Sequence, residues 1–227
     1  MKIGGLQKLT LLDFPEKVAC TVFLQGCNFR CPFCHNSSLL RGIDTFSEEE
    51  LFAFLKKRQG LLDGVAITGG EPLLSEGITE FIQKIKALGY AVKLDTNGSF
   101  PARLSALMQA GLLDYVAMDI KNAPEKYDAT AGCAGALAAV KESLALLRSG
   151  NVPYELRTTV VDELHEEADF LEIGRWLAGG ERYFLQEFKD SGDILQAGLH
   201  AASEEKMLRC LELVKTYIPN AQLRGHS

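Results

Sequence analysis

Short apolar runs alternate with amphipathic segments along the chain. Six runs have the length and composition of strands: VACTVFL (18–24), GVAIT (64–68), AVKLD (91–95), YVAMDI (115–120), YELRTTVV (154–161) and RYFLQEF (182–188). Apolar residues between them recur at helical spacing, and most of those segments end at a glycine. This alternation predicts parallel strands joined by helices in right-handed crossovers.

Capping and stop signals place the predicted helices. Ser47 and Glu50 form the sequence of a capping box for the first helix, which runs towards Gly60. The others are expected at 78–88, at 101–110, around the apolar stripe from 137 to 147, at 166–177 and at 203–217.

Six strand–helix units follow one another without a linker or a repeat. Eight such units usually fill a closed barrel of about 250 residues. Six units in 227 residues therefore favour an incomplete (β/α)6 TIM-like barrel, although periodicity leaves an open sheet possible. We expect one α/β domain over residues 1–227, with an N-terminal extension (1–17) and a partial barrel (18–227).

Composition narrows the class of protein. Hydrophobic residues make up 47% of the chain, charged residues 24%, and the formal net charge is −6, without a dense Lys/Arg run. A large nucleic-acid interface is therefore not expected. The chain shows neither a secretory signal nor the ~20 apolar residues of a membrane helix. We expect a cytoplasmic protein, in which clustered cysteines indicate metal or redox chemistry.

Each apolar strand gives way to a polar or glycine-rich cluster at its carboxyl end. In chain order these clusters are GCNFRC, TGGEP, DTNG, DIKN, a weaker VDE, and QEFKDSGD. Ligands bind at this edge both in barrels and in open α/β sheets. The sequence therefore predicts a site built from these clusters.

Three cysteines of the first cluster, Cys27, Cys31 and Cys34, allow three interpretations. They can be reduced thiols without a ligand, or a zinc site with His35 as the fourth ligand. They can also hold a cubane iron–sulfur cluster with one iron open to a cosubstrate. The adjacency of Cys34 and His35 disfavours zinc, so the open cluster is preferred.

The spacing Cys-x-x-x-Cys-x-aromatic-Cys, with Phe33 in the aromatic place, resembles the signature of radical S-adenosylmethionine (radical SAM) enzymes. The resemblance implies a [4Fe-4S] cluster on three cysteines whose open iron is chelated by SAM. Reductive cleavage of SAM then yields a 5′-deoxyadenosyl radical, which is chemistry that belongs to the cofactors. Phe33 would pack near the adenine, and His35 would either contact the cofactor or cap the chain beside the cluster.

TGGEP, with Gly69, Gly70 and Glu71, resembles the segment of this family that holds the SAM amino group. LDTNG and MDIK resemble the third and fourth strand ends of the glycyl-radical-enzyme activases. There Asp95, Asp119 and Lys121 would surround the SAM carboxylate and ribose. The resemblance also implies a monovalent-cation site lined by Asp95, Thr96 and Asp119.

Within the activases, the start of the chain (residues 3–36) looks closest to activating proteins of anaerobic ribonucleoside-triphosphate reductase, and the likeness extends through most of the chain, weakening after about residue 125. Glu16 stands where that subgroup has glycine. Gln186 replaces a histidine of the pyruvate formate-lyase activators and would still hydrogen-bond SAM. Their basic residue on the fifth strand corresponds to Arg157, for which a solvated surface arginine is the alternative. No cysteine-rich insertion separates Cys34 from Ser47, and an auxiliary cluster would need more ligands than the sequence offers, so one cluster is expected.

The resemblance implies that the protein installs a glycyl radical on a large partner enzyme and takes electrons from flavodoxin or ferredoxin. Two alternatives stay open: a radical SAM enzyme for a small molecule, like 7-carboxy-7-deazaguanine synthase, or a non-catalytic zinc or cluster-binding module. The oligomeric state is not predicted.

The remaining cysteines and histidines receive simpler interpretations. Cys20 and Cys210 lie on apolar stripes and are expected to be buried and inert, whereas the context of Cys133 favours no single role. Three histidines in loop or terminal positions are expected to be exposed: His165, His200 and His226.

Overall fold

The computed structural model describes residues 1–40, 42, 46–179, 182–190 and 192–225. Ser191 of the last polar cluster and His226 therefore lie outside the described residues. The chain packs as two compact units. The first contains Met1–Asn28, Ser38–Ala117 and Ala139–Pro153, and the second contains Phe29–Ser37, Met118–Ala138 and Tyr154–Ser227.

The described residues form eight strands and seven α-helices. The strands are β1 (Ile3–Thr10), β2 (Ala19–Leu24), β3 (Gly64–Gly69), β4 (Ala91–Thr96), β5 (Tyr115–Asp119), β6 (Tyr154–Val160), β7 (Arg182–Glu187) and β8 (Gln222–Arg224). The helices are α1 (Glu48–Arg58), α2 (Ile78–Ala87), α3 (Pro101–Gln109), α4 (Tyr127–Ala131), α5 (Ala136–Ser149), α6 (Glu167–Leu177) and α7 (Glu204–Lys215). All six predicted strands are confirmed as β2 to β7.

The first unit is a mostly parallel sheet in the order β1-β2-β3-β4, followed by residues 115–117 of β5. β2, β3 and β4 pair in parallel, and β1 pairs antiparallel with β2. Residues 3–10 of the predicted N-terminal extension are therefore a strand of this sheet. The predicted capping box of α1 is confirmed, because Ser47 Oγ accepts from Glu50 N at 3.1 Å and Ser47 N donates to the Glu50 carboxylate at 2.8 Å.

The apolar faces of the helices form the core as their spacing predicts. In the first unit, α2 buries Phe81, Ile82 and Ile85. In the second unit, β6, β7 and β8 run parallel in that order, and α6 packs beside α7. A Cβ on Gly174 would lie 2.9 Å from the Tyr217 ring, so glycine lets the last turn after α7 approach α6 closely.

The inert thiols behave as predicted. Cys20 and Cys210 are fully buried, and burial raises the pKa of Cys20 to about 12 and that of Cys210 to about 11. Both thiols therefore stay protonated and unreactive at neutral pH. Among the described residues, no single helix has the length and apolar character needed to cross a membrane; a bent pair, 124–131 with 136–149, has them only when its two helices are taken together.

Candidate active site

In the first unit, the Gly-Gly-Glu loop packs directly against the backbone that leads into Cys27. Gly70 N donates to Leu24 O at 2.9 Å, and Glu71 N donates to Gly26 O at 2.8 Å. A Cβ on Gly70 would lie only 1.9 Å from Gly26 O. Gly69 has φ +115° and equally little room, because a Cβ there would lie 2.3 Å from Leu24 O. Both glycines are therefore required for this close approach.

The Glu71 side chain ties the end of β3 to the end of β4. It is fully buried, and its Oε1 accepts from Leu73 N and from Thr96 Oγ1, both at 2.9 Å. Its Oε2 accepts from Asn97 N at 2.6 Å. These donors satisfy a carboxylate that burial would otherwise penalise heavily. The prediction that Glu71 holds the SAM ammonium stays a prediction, and the contacts show that its carboxylate anchors two loops.

Cys27 receives a hydrogen bond that the sequence did not predict. Asn97 Nδ2 lies 3.7 Å from Cys27 Sγ and 3.1 Å from Asn28 Oδ1. Ser99 fixes the amide orientation, since its N and Oγ donate to Asn97 Oδ1 at 2.9 and 2.5 Å. Asn97 belongs to the DTNG segment, whose resemblance implies no role for it. The only signal for Asn28 was its place next to Cys27.

Asp95 has a cationic partner within its own strand. Lys93 Nζ forms an ion pair and hydrogen bond with Asp95 Oδ1. The Lys93 side chain is only 2% exposed and that of Asp95 14% exposed. Residues two apart in a strand share a face, which brings the two groups together.

In the second unit, Cys31 and Cys34 lie in one tight turn that the rest of the unit holds in place. Cys34 N donates to Cys31 O at 3.1 Å, and Cys31 is almost fully buried. Arg30 N donates to Ala131 O at 2.9 Å, and a Cβ on Gly132 would lie 2.5 Å from Arg30 O. On the other side of the turn, Gln196 N donates to Pro32 O at 3.0 Å.

Asp119 is the centre of a charged network in the second unit. Its Oδ1 accepts from Arg157 Nε at 3.0 Å and pairs with Arg157 Nη2 at 2.9 Å, and its Oδ2 accepts from Lys121 Nζ at 3.0 Å. Partial burial alone would raise the pKa of Asp119, but the charges of Arg157 and Lys121 outweigh it and lower that pKa to about 2. Burial alone would lower the pKa of Lys121, but the negative charge of Asp119 outweighs it and raises that pKa above its usual range. Arg157 is therefore a member of the network, not a solvated surface arginine.

Aromatic rings border this network. Phe33 is buried, with Lys121 Nζ 5.9 Å from its ring centroid, and its ring meets that of His165 edge-on with the two centroids 6.5 Å apart. His35 packs on Phe188 with centroids 5.2 Å apart, and burial followed by the charge of Lys121 lowers the His35 pKa. Gln186 is half-buried on β7, opposite Thr159.

The expectation that His165 is exposed was wrong. Its ring is fully buried: Nδ1 lies 3.1 Å from Val161 N, and Nε2 lies 2.9 Å from Lys121 O. Burial lowers the His165 pKa, so the ring is neutral. His165 supports the backbone of Lys121, which explains a histidine in a position that looked like a simple loop. His200 is exposed as predicted and pairs with Glu163.

The three motif thiols divide between the units, Cys27 in the first and Cys31 with Cys34 in the second. Considered separately, neither unit gathers three His, Cys, Asp or Glu side chains around a metal position within its described residues. The donor set itself fits an iron–sulfur cluster, because thiolates are its usual ligands and an N–H aimed at a ligand sulfur is a usual outer contact.

The Radical SAM superfamily model matches residues 21–177. The chain belongs to the radical SAM superfamily. A protein of Methanocaldococcus jannaschii, provisionally named a glycyl-radical enzyme activating enzyme, is 31% identical over 233 residues, which cover 98% of this chain and 95% of that protein. The pyruvate formate-lyase-activating enzyme of Listeria monocytogenes is 35% identical over 142 residues, or 56% of each chain.

A solved structure shares the fold. The radical SAM methyltransferase of Sphaerobacter thermophilus superposes with a TM-score of 0.69 at 18% identity, covering 93% of this chain and 67% of that one. The predicted α/β fold with a radical SAM core is thereby confirmed. Membership of the family implies that the protein is an enzyme that uses a [4Fe-4S] cluster and SAM.

Proposed function

We propose that this radical SAM enzyme is an activase that installs a glycyl radical on a partner enzyme, and that anaerobic ribonucleotide reductase is that partner. The observation that carries the proposal is the match to the Methanocaldococcus jannaschii protein along nearly the full length of both chains. Similarity restricted to the cofactor-binding core would not favour one radical SAM reaction over another. The partial match to a pyruvate formate-lyase-activating enzyme gives further support.

Cys27, Cys31 and Cys34 are the proposed ligands of the cluster. With the cluster and SAM bound, the cofactors supply a 5′-deoxyadenosyl radical that takes a hydrogen atom from a glycine Cα of the partner. The protein's part is to hold and orient the groups. The turn that contains Cys31 and Cys34 is fixed by hydrogen bonds on both sides, and Cys27 is oriented by the amide of Asn97.

The remaining residues are assigned to SAM. The backbone of Gly69 and Gly70 would approach the amino end, in a loop that the Glu71 carboxylate locks in place. Lys121 and Arg157 outnumber the single carboxylate of Asp119, so this network keeps positive charge for the SAM carboxylate. Phe33 would contact the adenine. Asp95, His35 and Gln186 would complete the pocket around the ribose and the sulfonium.

Reduced flavodoxin or ferredoxin is the proposed electron donor, and the cytoplasm is the expected compartment. The electron donor follows from the resemblance to activases. A reducing compartment agrees with six free thiols in one chain.

The experiment is anaerobic reconstitution of the protein with iron and sulfide, followed by SAM, reductant and the ribonucleotide reductase. We expect 5′-deoxyadenosine together with a glycyl radical signal in electron paramagnetic resonance (EPR) on the reductase. Replacing any one of the three motif cysteines by Ala should abolish both. Cys133→Ala is the matched control, since Cys133 is also partly exposed but lies outside the motif.

The outcomes separate the alternatives. Formation of 5′-deoxyadenosine without a glycyl radical on any candidate partner would favour a small-molecule substrate. One zinc per chain, with no iron or sulfide bound, would favour the non-catalytic module. If a protein that holds a full cluster and binds SAM forms neither product, the proposed activity is contradicted.

A further inference from the structure

The side chains expected to line a monovalent-cation site are already bonded to other groups of the protein. Asp95 pairs with the Lys93 ammonium. The Thr96 hydroxyl donates to Glu71 Oε1 at 2.9 Å and accepts from Gly98 N at 3.1 Å. Asp95 Oδ1 and Thr96 Oγ1, as placed, are therefore already engaged in contacts within the protein.

Asp119, the third side chain of that set, is also committed. Arg157 and Lys121 bind its two oxygens separately. Within the first unit Lys93 balances the charge of Asp95, and within the second unit the two cations outnumber Asp119. A further cation adds stability where negative charge is in excess, and neither set has such an excess.

Lys93 is the unusual member of this set. It lies in β4, opposite Ala66 of β3 and with another strand on its far side, so it occupies the middle of a sheet, where lysine is rarely found. Burial of an ammonium group is costly unless a carboxylate compensates it, so the position favours a fixed partner for Asp95. An ammonium carries the same single positive charge as Na⁺ or K⁺ and directs its N–H donors at oxygen.

We propose that the ammonium of Lys93 takes the place of the monovalent cation, so that this enzyme binds SAM without requiring Na⁺ or K⁺. The inference rests on the proposed function, because it assigns Asp95 to the SAM site. Lys93 is then a positioning residue: it sets the charge and orientation of Asp95 and does not need to touch SAM.

The test uses the full-length protein with its cluster reconstituted, in buffer free of Na⁺, K⁺ and ammonium. The SAM dissociation constant is measured by equilibrium dialysis in tetramethylammonium chloride and in KCl or NaCl at equal ionic strength. The change in the EPR spectrum of the reduced cluster when SAM is added gives a second readout. For the unmodified protein, we expect the two salts to give constants within about twofold of each other.

The Lys93→Met variant keeps the length of the side chain and removes its charge. We expect its SAM affinity in tetramethylammonium chloride to fall by about tenfold or more, with partial recovery in KCl as K⁺ occupies the vacated place beside Asp95. Lys86→Met is the matched control. Lys86 also pairs with an aspartate of the first unit, Asp114 at 2.7 Å, but both groups are partly exposed, so neither affinity nor salt response should change.

A tenfold tightening of SAM binding to the unmodified protein by K⁺ or Na⁺ would overturn this inference and leave the activase proposal intact. That comparison needs no variant, so it decides the question even if Lys93→Met fails to fold. A folded Lys93→Met variant that binds SAM as tightly as the unmodified protein in both salts would also overturn it. If the cluster-loaded protein binds no SAM in any salt, the proposed function fails and this inference fails with it.

Discussion

Glu71 and Asp119 are both carboxylates at the carboxyl end of a parallel strand, but they are neutralised in different ways. Glu71 in the first unit is fully buried and accepts from two backbone N–H groups and a hydroxyl, all of them neutral. Asp119 in the second unit has a side chain 31% exposed and is held by two cationic side chains.

This difference distinguishes a carboxylate that anchors loops from a charged network that can bind a ligand. A buried carboxylate with neutral donors on both oxygens fixes the loops that supply those donors. A partly exposed carboxylate with an excess of cations around it leaves positive charge available to an anionic group. The contacts of the first unit therefore make the geometry around Cys27 rigid, and those of the second leave positive charge, which we propose for binding the SAM carboxylate.

The largest effect is expected from Gly70→Ala, which tests the rigid geometry of the first unit. The new Cβ would lie 1.9 Å from Gly26 O, a backbone atom that cannot move without shifting the entry to Cys27. We expect the free energy of unfolding to fall by about 3 kcal/mol or more, and the iron content after reconstitution to fall with it. Urea unfolding and iron analysis measure the two.

Gly5→Ala is the control for that substitution. Its Cβ would make only ordinary contacts, the nearest at 3.7 Å from the Phe23 side chain, so stability and iron content should stay unchanged. Full iron binding by a stable Gly70→Ala protein would show that the contact between the two loops is not needed.

Arg157→Met tests the charged network of the second unit. Asp119 has a lowered pKa, so it stabilises the fold above its ordinary pKa of 3.8, and this contribution is lost as the pH falls towards about 2. Removal of Arg157 should reduce the free energy of unfolding at pH 7 by about 1–2 kcal/mol. It should also weaken SAM binding. Arg157→Lys retains the charge but not the paired geometry, so its free energy of unfolding and its SAM affinity should lie between those of Arg157→Met and those of the unmodified protein.

The free energies of unfolding of the variant and of the unmodified protein should differ most at neutral pH, and the difference should shrink as the pH falls from about 4 towards about 2. Urea unfolding across that range measures the convergence. A constant difference at every pH would mean that Arg157 stabilises by packing alone.

The strands were predictable because their apolar runs are long and bounded by polar or glycine-rich ends. β1 was missed since only its two end residues are buried and its middle is partly or fully exposed, so no buried alternation marks it. β8, with three residues, and α4, with five, are too short for a periodic signal. The turn at Glu16 keeps a left-handed φ of 61° where the resemblance expects glycine. The geometry of that turn is therefore retained, at a cost of about 1 kcal/mol.

Only those residues of the site that belong to a sequence motif could be predicted. The Lys93–Asp95 pair could have been found from the two-residue period of a strand, but a lysine in an apolar run gave no indication of burial. The network of Asn28, Asn97 and Ser99 depends on two loops that are about 70 residues apart in the chain. His165 looked exposed because its two partners are backbone atoms, which leave no trace in the sequence.

A smaller effect, confined to the cluster, is expected from Asn97→Leu. Loss of the N–H near Cys27 Sγ should lower the reduction potential of the cluster by about 50 mV, equivalent to about 1 kcal/mol for one electron. A potentiometric titration followed by EPR measures it. Asn151→Leu, on an exposed turn of the same unit, is the control. An unchanged potential in a fully loaded Asn97→Leu protein would contradict the assigned contact.

The smallest effect concerns the neutral support beneath the charged network. His165 is buried with a lowered pKa, so below about pH 6.5 the unfolded chain takes up a proton that the folded ring resists. The free energy of unfolding should therefore fall on acidification. In the His165→Gln variant, whose side chain at this position cannot be protonated, that fall should be smaller by up to about 1 kcal/mol per pH unit. His200→Gln should act in the opposite direction, because Glu163 raises the pKa of the exposed His200 and its contribution is lost as the pH rises. Unfolding curves at pH 5, 6 and 7 separate the two. If His165→Gln kept the slope of the unmodified protein, the backbone of Lys121 would not depend on a neutral ring, and the charged network of the second unit would stand without that support.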